Sequence, residues 1–192
     1  MKKRCLLLVY IFTMIVLIVG CENNKQTLTE LSITDIINNK ITFITENGNS
    51  VYFKDYRLPN LYEDLYLIPE KYVFVDLDGD NVQELVLYVP NVGRYIVFYR
   101  DKKDIYAFEF VERALISLKI DGSFIQSEGA GINSYSRLSF LKNKYEVLEE
   151  AYSNDMDNVY RINGKNVNSE KVKNYSQEFE KIESVNWIEV SY

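Results

Sequence analysis

An α+β fold is predicted, mainly antiparallel β-sheet built from consecutive hairpins, with one helix near each end of the folded region. Three observations carry that expectation. Asn47-Gly48 separates ITFIT from SVYF, Asp121-Gly122 separates ISLKI from SFIQS, and Asn163-Gly164 separates VYRI from KNV. Asn-Gly and Asp-Gly accept the positive φ angles of two-residue hairpin turns, so each pair reads as a hairpin. Apolar residues at Val172, Tyr175, Phe179 and Ile182 keep helical spacing over Ser169–Ile182, which predicts an amphipathic helix lying against a sheet.

The remaining elements follow in chain order. Thr27-Leu28-Thr29-Glu30 fits a capping box, and Leu28, Leu31, Ile36 and Ile37 extend a short helix to about Asn38. Further strands are expected at Val73–Val75, Leu85–Val89, Arg94–Tyr99, Ile105–Val111, Ser136–Phe140 and Tyr145–Tyr152, with a last short one in Val185–Val190. No long-period repeat, proline-rich linker or low-complexity tract divides the chain, so 27–192 reads as a single domain. A half-propeller or a sandwich is also compatible with this pattern. The 16 tyrosines suit half-buried strands more simply than they suit an aromatic platform for sugars.

The first 21 residues have the parts of an export signal. Lys2, Lys3 and Arg4 form a positive leader, and Cys5 to Val19 form an apolar run shorter than the roughly 20 residues of a spanning helix. Ile18-Val19-Gly20-Cys21 resembles the lipobox of bacterial lipoproteins. That resemblance implies a signal peptide over 1–20, cleavage after Gly20, a diacylglycerol thioether on Cys21 and acylation, by palmitate or a similar chain, at the new N-terminus. Two or more buried acyl chains anchor a protein stably where one is marginal. Residues 21–26 would then be the lipidated cysteine and a short polar tether, holding the domain close to the lipid bilayer on the extracytoplasmic side of the cell membrane.

Processing removes three positive charges from a chain whose formal net charge is already −6, and leaves one of its two cysteines. A lipidated Cys21 leaves no thiol pair for a disulfide, so an exported fold must rely on its core or on a metal. The negative charge argues against nucleic acid as a partner. The chain has no histidine, which excludes a Ser-His-Asp triad, a Cys-His pair and histidine ligands for zinc, copper or iron.

Residues 74–87, FVDLDGDNVQELVL, contain the strongest motif. With Asp76 as position one, carboxylates fall at one (Asp76), three (Asp78), five (Asp80) and nine (Glu84), and Val82 at seven can offer a backbone carbonyl. Asn81 at position six tolerates the left-handed backbone a tight loop requires. Alternate carboxylates on a curling loop converge, and hard oxygen ligands suit Ca²⁺. A divalent cation would neutralise their repulsion and staple one strand to the next. The loop resembles the D-x-D-G-D-G-x-x-E-L calcium loops of FG-GAP/VCBS-like repeats through Asp76, Asp78, Gly79, Asp80, Glu84 and Leu85. It departs from a helix–loop–helix EF-hand, because position twelve is Leu87 within an apolar strand pattern. The order of lipobox, helix, acidic loop, hairpins and C-terminal helix resembles uncharacterised lipoproteins of low-GC Gram-positive bacteria, a resemblance that implies no particular activity.

Other polar groupings are less specific. Glu128-Gly129-Ala130-Gly131 reads as a flexible connection or a binding loop. Glu109, Glu112 and Arg113 fit either a carboxylate pair with an orienting arginine or the wet face of a strand. Asp155-Met156-Asp157-Asn158 reads as a turn before VYRI, and Ser134 and Ser136 lack a base. Glu149-Glu150 could serve a glycosidase only with an opposing carboxylate at mechanistic separation. No residue set specifies a reaction. The expected role is a lipid-anchored binding or accessory module at the cell envelope, with an envelope protein or a glycan as ligand. The alternative is a carboxylate-dependent hydrolase of cell-wall glycans.

Overall fold

The computed structural model describes residues 32–58 and 65–191. The signal segment, Cys21, the tether and the Thr27–Glu30 capping box lie outside these residues. Within them the expected helix near the N-terminus is α1 (Ile33–Ile37), whose observed cap is Ser32, accepting from the Asp35 backbone N–H through its hydroxyl. No helix among the described residues is long and apolar enough to cross a membrane.

The described residues form two sheets. In the first, β1 (Phe43–Thr45), β2 (Ser50–Val51), β3 (Lys71–Val75), β4 (Glu84–Val89), β5 (Arg94–Asp101), β6 (Asp104–Val111) and β12 (Ile188–Glu189) lie in the order β12-β3-β4-β5-β6-β1-β2. All pairings are antiparallel except β1 with β6, which run parallel from Ile44 opposite Tyr106. The second sheet, in the order β11-β10-β9-β8-β7, joins β7 (Phe124–Gly129), β8 (Ile132–Leu141), β9 (Lys144–Asn154), β10 (Val159–Ile162) and β11 (Lys165–Asn166). The helix α2 (Ser169–Lys181) packs over β9 and β10.

Alternation along the strands explains the layering. Leu85, Leu87, Ile96, Phe98 and Ala107 point to one face of the first sheet, under α1 and the segment from Phe53 to Leu58. Val73, Val86, Val97 and Phe108 point to the other, against Phe124, Leu138 and Phe140 of the second sheet. Strands covered on both faces carry near-continuous apolar runs, which is why ELVLYV does not alternate with polar residues. Each fully buried Leu or Phe here is worth about 1.5–3 kcal/mol of transfer free energy. On the outer side of the second sheet, Tyr135 and Ala151 meet Phe179 and Tyr175 of α2.

Two sequence expectations are corrected. ISLKI is not a strand: it touches Ile125 and Ser184 only through isolated bridges at Ile116 and Lys119, and its Asp121-Gly122 end forms a turn closed by the Lys119–Ser123 backbone bond. Glu128–Gly131 is not an open loop, because β7 runs to Gly129 and β8 begins at Ile132, leaving a tight hairpin in which Gly131 has φ +74°. The Asn47-Gly48 and Asn163-Gly164 hairpins form as expected.

Candidate metal centre

The acidic motif is the connection between β3 and β4, adjacent antiparallel strands near one edge of the first sheet. Its local fold is made by its own carboxylates. Asp76 accepts the backbone N–H of Gly79 at 2.7 Å and of Asn81 at 2.9 Å, while Asp78 accepts that of Asp80 at 3.2 Å. Gly79 (φ 80°) and Asn81 (φ 69°) supply the left-handed turns that let the chain curl. Side-chain acceptors of this kind are why aspartates favour loops over regular elements.

The curl brings Asp76, Asp78 and Glu84 together, with one carboxylate oxygen of each within 4.8 Å of the others. Asp80 is not part of this group. It is exposed, and its Oδ1 accepts the Val82 N–H at 2.6 Å. Val82 is half-buried.

Glu84 is the least expected member. It opens β4 and is only 1% exposed. Its Oε2 accepts the buried Leu77 N–H at 2.8 Å, but its Oε1 is buried with no hydrogen-bond partner among the described residues. Burial, added to the nearby charges of Asp78, Asp80 and Asp76 and only partly offset by the Leu77 N–H, pushes the Glu84 pKa up to about 8. Asp78 is also raised, first by burial and then by Asp80. A buried acceptor without a partner costs about 1–3 kcal/mol, and more if charged. No arginine or lysine forms an ion pair with any of these carboxylates among the described residues. The donor set is entirely oxygen, it gathers three acidic side chains, and its most buried member keeps an orphan acceptor. Those are the properties a hard divalent cation requires.

The second sheet completes the surroundings. Pairing of β7 with β8 ends at Phe124 opposite Ser136, so beyond that point β8 lacks β7 as a neighbour. The acidic loop takes this edge: the Leu138 N–H donates to the Leu77 carbonyl at 3.3 Å, and the Phe140 N–H faces the Asp78 carboxylate and works against its upward shift. Behind the loop, Gly122 (φ +80°) approaches so closely that a Cβ there would stand 2.1 Å from the Asp76 carbonyl oxygen and 2.9 Å from the Leu77 Cα. Asp121-Gly122, read from sequence as a hairpin signal, thus serves as a backing for the acidic loop. Sequence reasoning missed this role because contact between the two segments is tertiary.

Three of the remaining candidate carboxylates, Glu109, Glu149 and Glu150, are paired with arginines. Arg94 Nε meets Glu109 at 2.5 Å. Arg161 makes two bonds to Glu149, at 3.0 and 2.9 Å. Arg137 bridges Glu150 and Asp121, and the Tyr175 hydroxyl also donates to Glu150. Glu109 lines a cavity of about 160 Å³ with Glu46, Asp55 and Tyr56, and Glu46 accepts the Glu109 backbone N–H at 3.1 Å. Ser136 is fully buried and Ser134 nearly so. The Asp155–Asn158 turn precedes β10 as expected, held by Asn154, whose side chain accepts the Met156 and Asp157 N–H groups.

No family model matches the chain. No curated protein and no solved structure matches it either.

Proposed function

We propose that this protein is a lipoprotein anchored through acylated Cys21 on the extracytoplasmic face of the cell membrane, and that its β3–β4 loop holds a structural Ca²⁺. The single observation that carries the metal reading is the buried, unpartnered Oε1 of Glu84 beside the carboxylates of Asp76 and Asp78. Asp76, Asp78 and Glu84 would hold the ion directly. Asp80 and the Val82 carbonyl complete the set that the motif implies. Calcium fits better than magnesium because it accepts irregular, carboxylate-rich shells, whereas Mg²⁺ demands octahedral geometry and keeps its water.

The domain would act as a binding or accessory module for an envelope protein or a glycan. Pairing of Glu109, Glu149 and Glu150 with arginines supports this over a hydrolase, which needs two carboxylates facing substrate, one of them able to donate a proton.

The decisive experiment follows thermal unfolding in EDTA and across a Ca²⁺ titration, with Mg²⁺ as the comparison. At a Ca²⁺ concentration 100 times Kd, the expected stabilisation is about 2.7 kcal/mol. A combined Asp78→Asn and Asp80→Asn variant should lose this rise and unfold in EDTA much as the parent does. A flat response to millimolar Ca²⁺ would sink the reading. Anchoring is checked separately: Cys21→Ser should move the protein out of the membrane fraction, and persistence there would refute acylation as the anchor.

A further inference from the structure

The cluster lies where three segments meet: the β3–β4 loop of the first sheet, the second half of β8, and the Asp121-Gly122 turn. Each contact is specific. Leu77 is fully buried and its carbonyl takes the Leu138 N–H. The Phe140 N–H faces Asp78. Gly122 touches the Asp76 carbonyl with no room for a methyl group. From that turn a polar chain runs outward. Asp121 accepts from Arg137, Arg137 also holds Glu150 at 2.9 Å, and the Tyr175 hydroxyl of α2 donates to Glu150. Glu150 is available there because β9 carries one extra residue: Tyr135 pairs with Ala151 but Ser136 pairs with Glu149, a bulge that turns Ala151 toward α2 while Val147 stays on the inter-sheet core.

We propose that the cation site is a lock between the two sheets. The ion draws Asp76, Asp78 and Glu84 inward and holds the loop in the shape that fills the free edge of β8 and rests against Gly122. Docking of the second sheet and α2 onto the first sheet therefore depends on the ion. Without it, three acidic side chains are crowded together and the buried Glu84 keeps an oxygen with no partner among the described residues, so the loop relaxes and the edge of β8 loses its cover. Linkage makes the dependence mutual, since anything that seats the loop against β8 and Gly122 also raises cation affinity. The inference rests on the cation reading above, and it adds where the binding energy goes.

Hydrogen exchange of the full chain in detergent micelles, in EDTA and in saturating Ca²⁺, tests it. In EDTA, amides of β8, β9 and α2 should exchange faster than those of β4 and β5, the mark of a unit that opens before the rest. Ca²⁺ should slow the former selectively, by on the order of 100-fold at 100 times Kd, and close the gap. Equal protection of both sheets, or protection confined to residues 76–84, would overturn the lock while leaving Ca²⁺ binding intact. No response of any amide and no thermal shift would overturn both readings. A Gly122→Ala variant supplies the reciprocal test, because Gly122 offers no side-chain ligand. Its Ca²⁺ affinity should fall tenfold or more, and a folded variant with unchanged affinity would refute the coupling. If that variant fails to fold, the exchange pattern of the parent decides.

Discussion

The β3–β4 loop and the second sheet with its flanking turn both gather carboxylates, and they differ in what lies beside them. On the sheet, Glu149 faces Arg161, and Glu150 and Asp121 share Arg137, all with side chains about a third exposed. In the loop, Asp76, Asp78 and Glu84 converge with no arginine or lysine paired to them among the described residues, and the deepest of them keeps an oxygen with no partner there. The sheet supplies its own counter-ions from neighbouring strands, so its charges are satisfied by the fold. The loop has no such counter-ion among the described residues. Clustered acidity alone therefore says little about a site; the absence of an internal cation next to a desolvated carboxylate is the informative feature.

The largest expected effect that would sharpen this contrast is on pH dependence. In EDTA, Glu84 holds its proton in the folded chain up to about pH 8 but loses it near its ordinary 4.5 when unfolded. Between those values the folded state binds more protons, so stability falls as pH rises. The slope approaches at most about 1.4 kcal/mol per pH unit. Asp78, also raised, adds in the same direction. Denaturant titrations from pH 5 to 8 measure it, and a stability that rises across this range in EDTA would contradict the burial of Glu84. The Ca²⁺-induced stabilisation should grow over the same interval, because metal and proton compete for the same oxygens. Glu84→Gln, which cannot ionise, should remove most of the slope in EDTA together with most of the Ca²⁺ response.

A smaller effect is expected at the sheet. Arg161 makes two bonds to Glu149 and lies 3.9 Å from the Tyr152 ring centroid, but the pair is partly exposed. Arg161→Ala should cost about 1 kcal/mol, equally in EDTA and in Ca²⁺. A loss present only in Ca²⁺ would break the comparison, since it would tie the sheet's ion pairs to the loop's cation.

How much was legible beforehand varies by element. Ser169–Lys181 could be read because one apolar stripe at helical spacing needs only one partner surface. The two Asn-Gly hairpins were readable because their turn chemistry is local. ISLKI failed as a strand because Asp121-Gly122 is shaped by its contact with Asp76 and by Arg137, both remote in sequence. Val86 and Leu87 look alike in the sequence, yet one packs toward the second sheet and the other toward α1. The alternation was there to be read, but which layer covers each face was not.

The amino-acid sequence by itself determined the chemistry: alternate aspartates with Gly79 and Asn81 between them, no histidine, and strand formers on either side. Those are properties of residue type and of spacing along one short segment. Only the tertiary structure decided that Glu84 is desolvated while Asp80 stays in water, and that the loop closes an edge of the second sheet. The reason is physical. Burial and an unmet hydrogen bond depend on every segment that surrounds an atom, and β8 and Gly122 reach the loop from some 40–60 residues away.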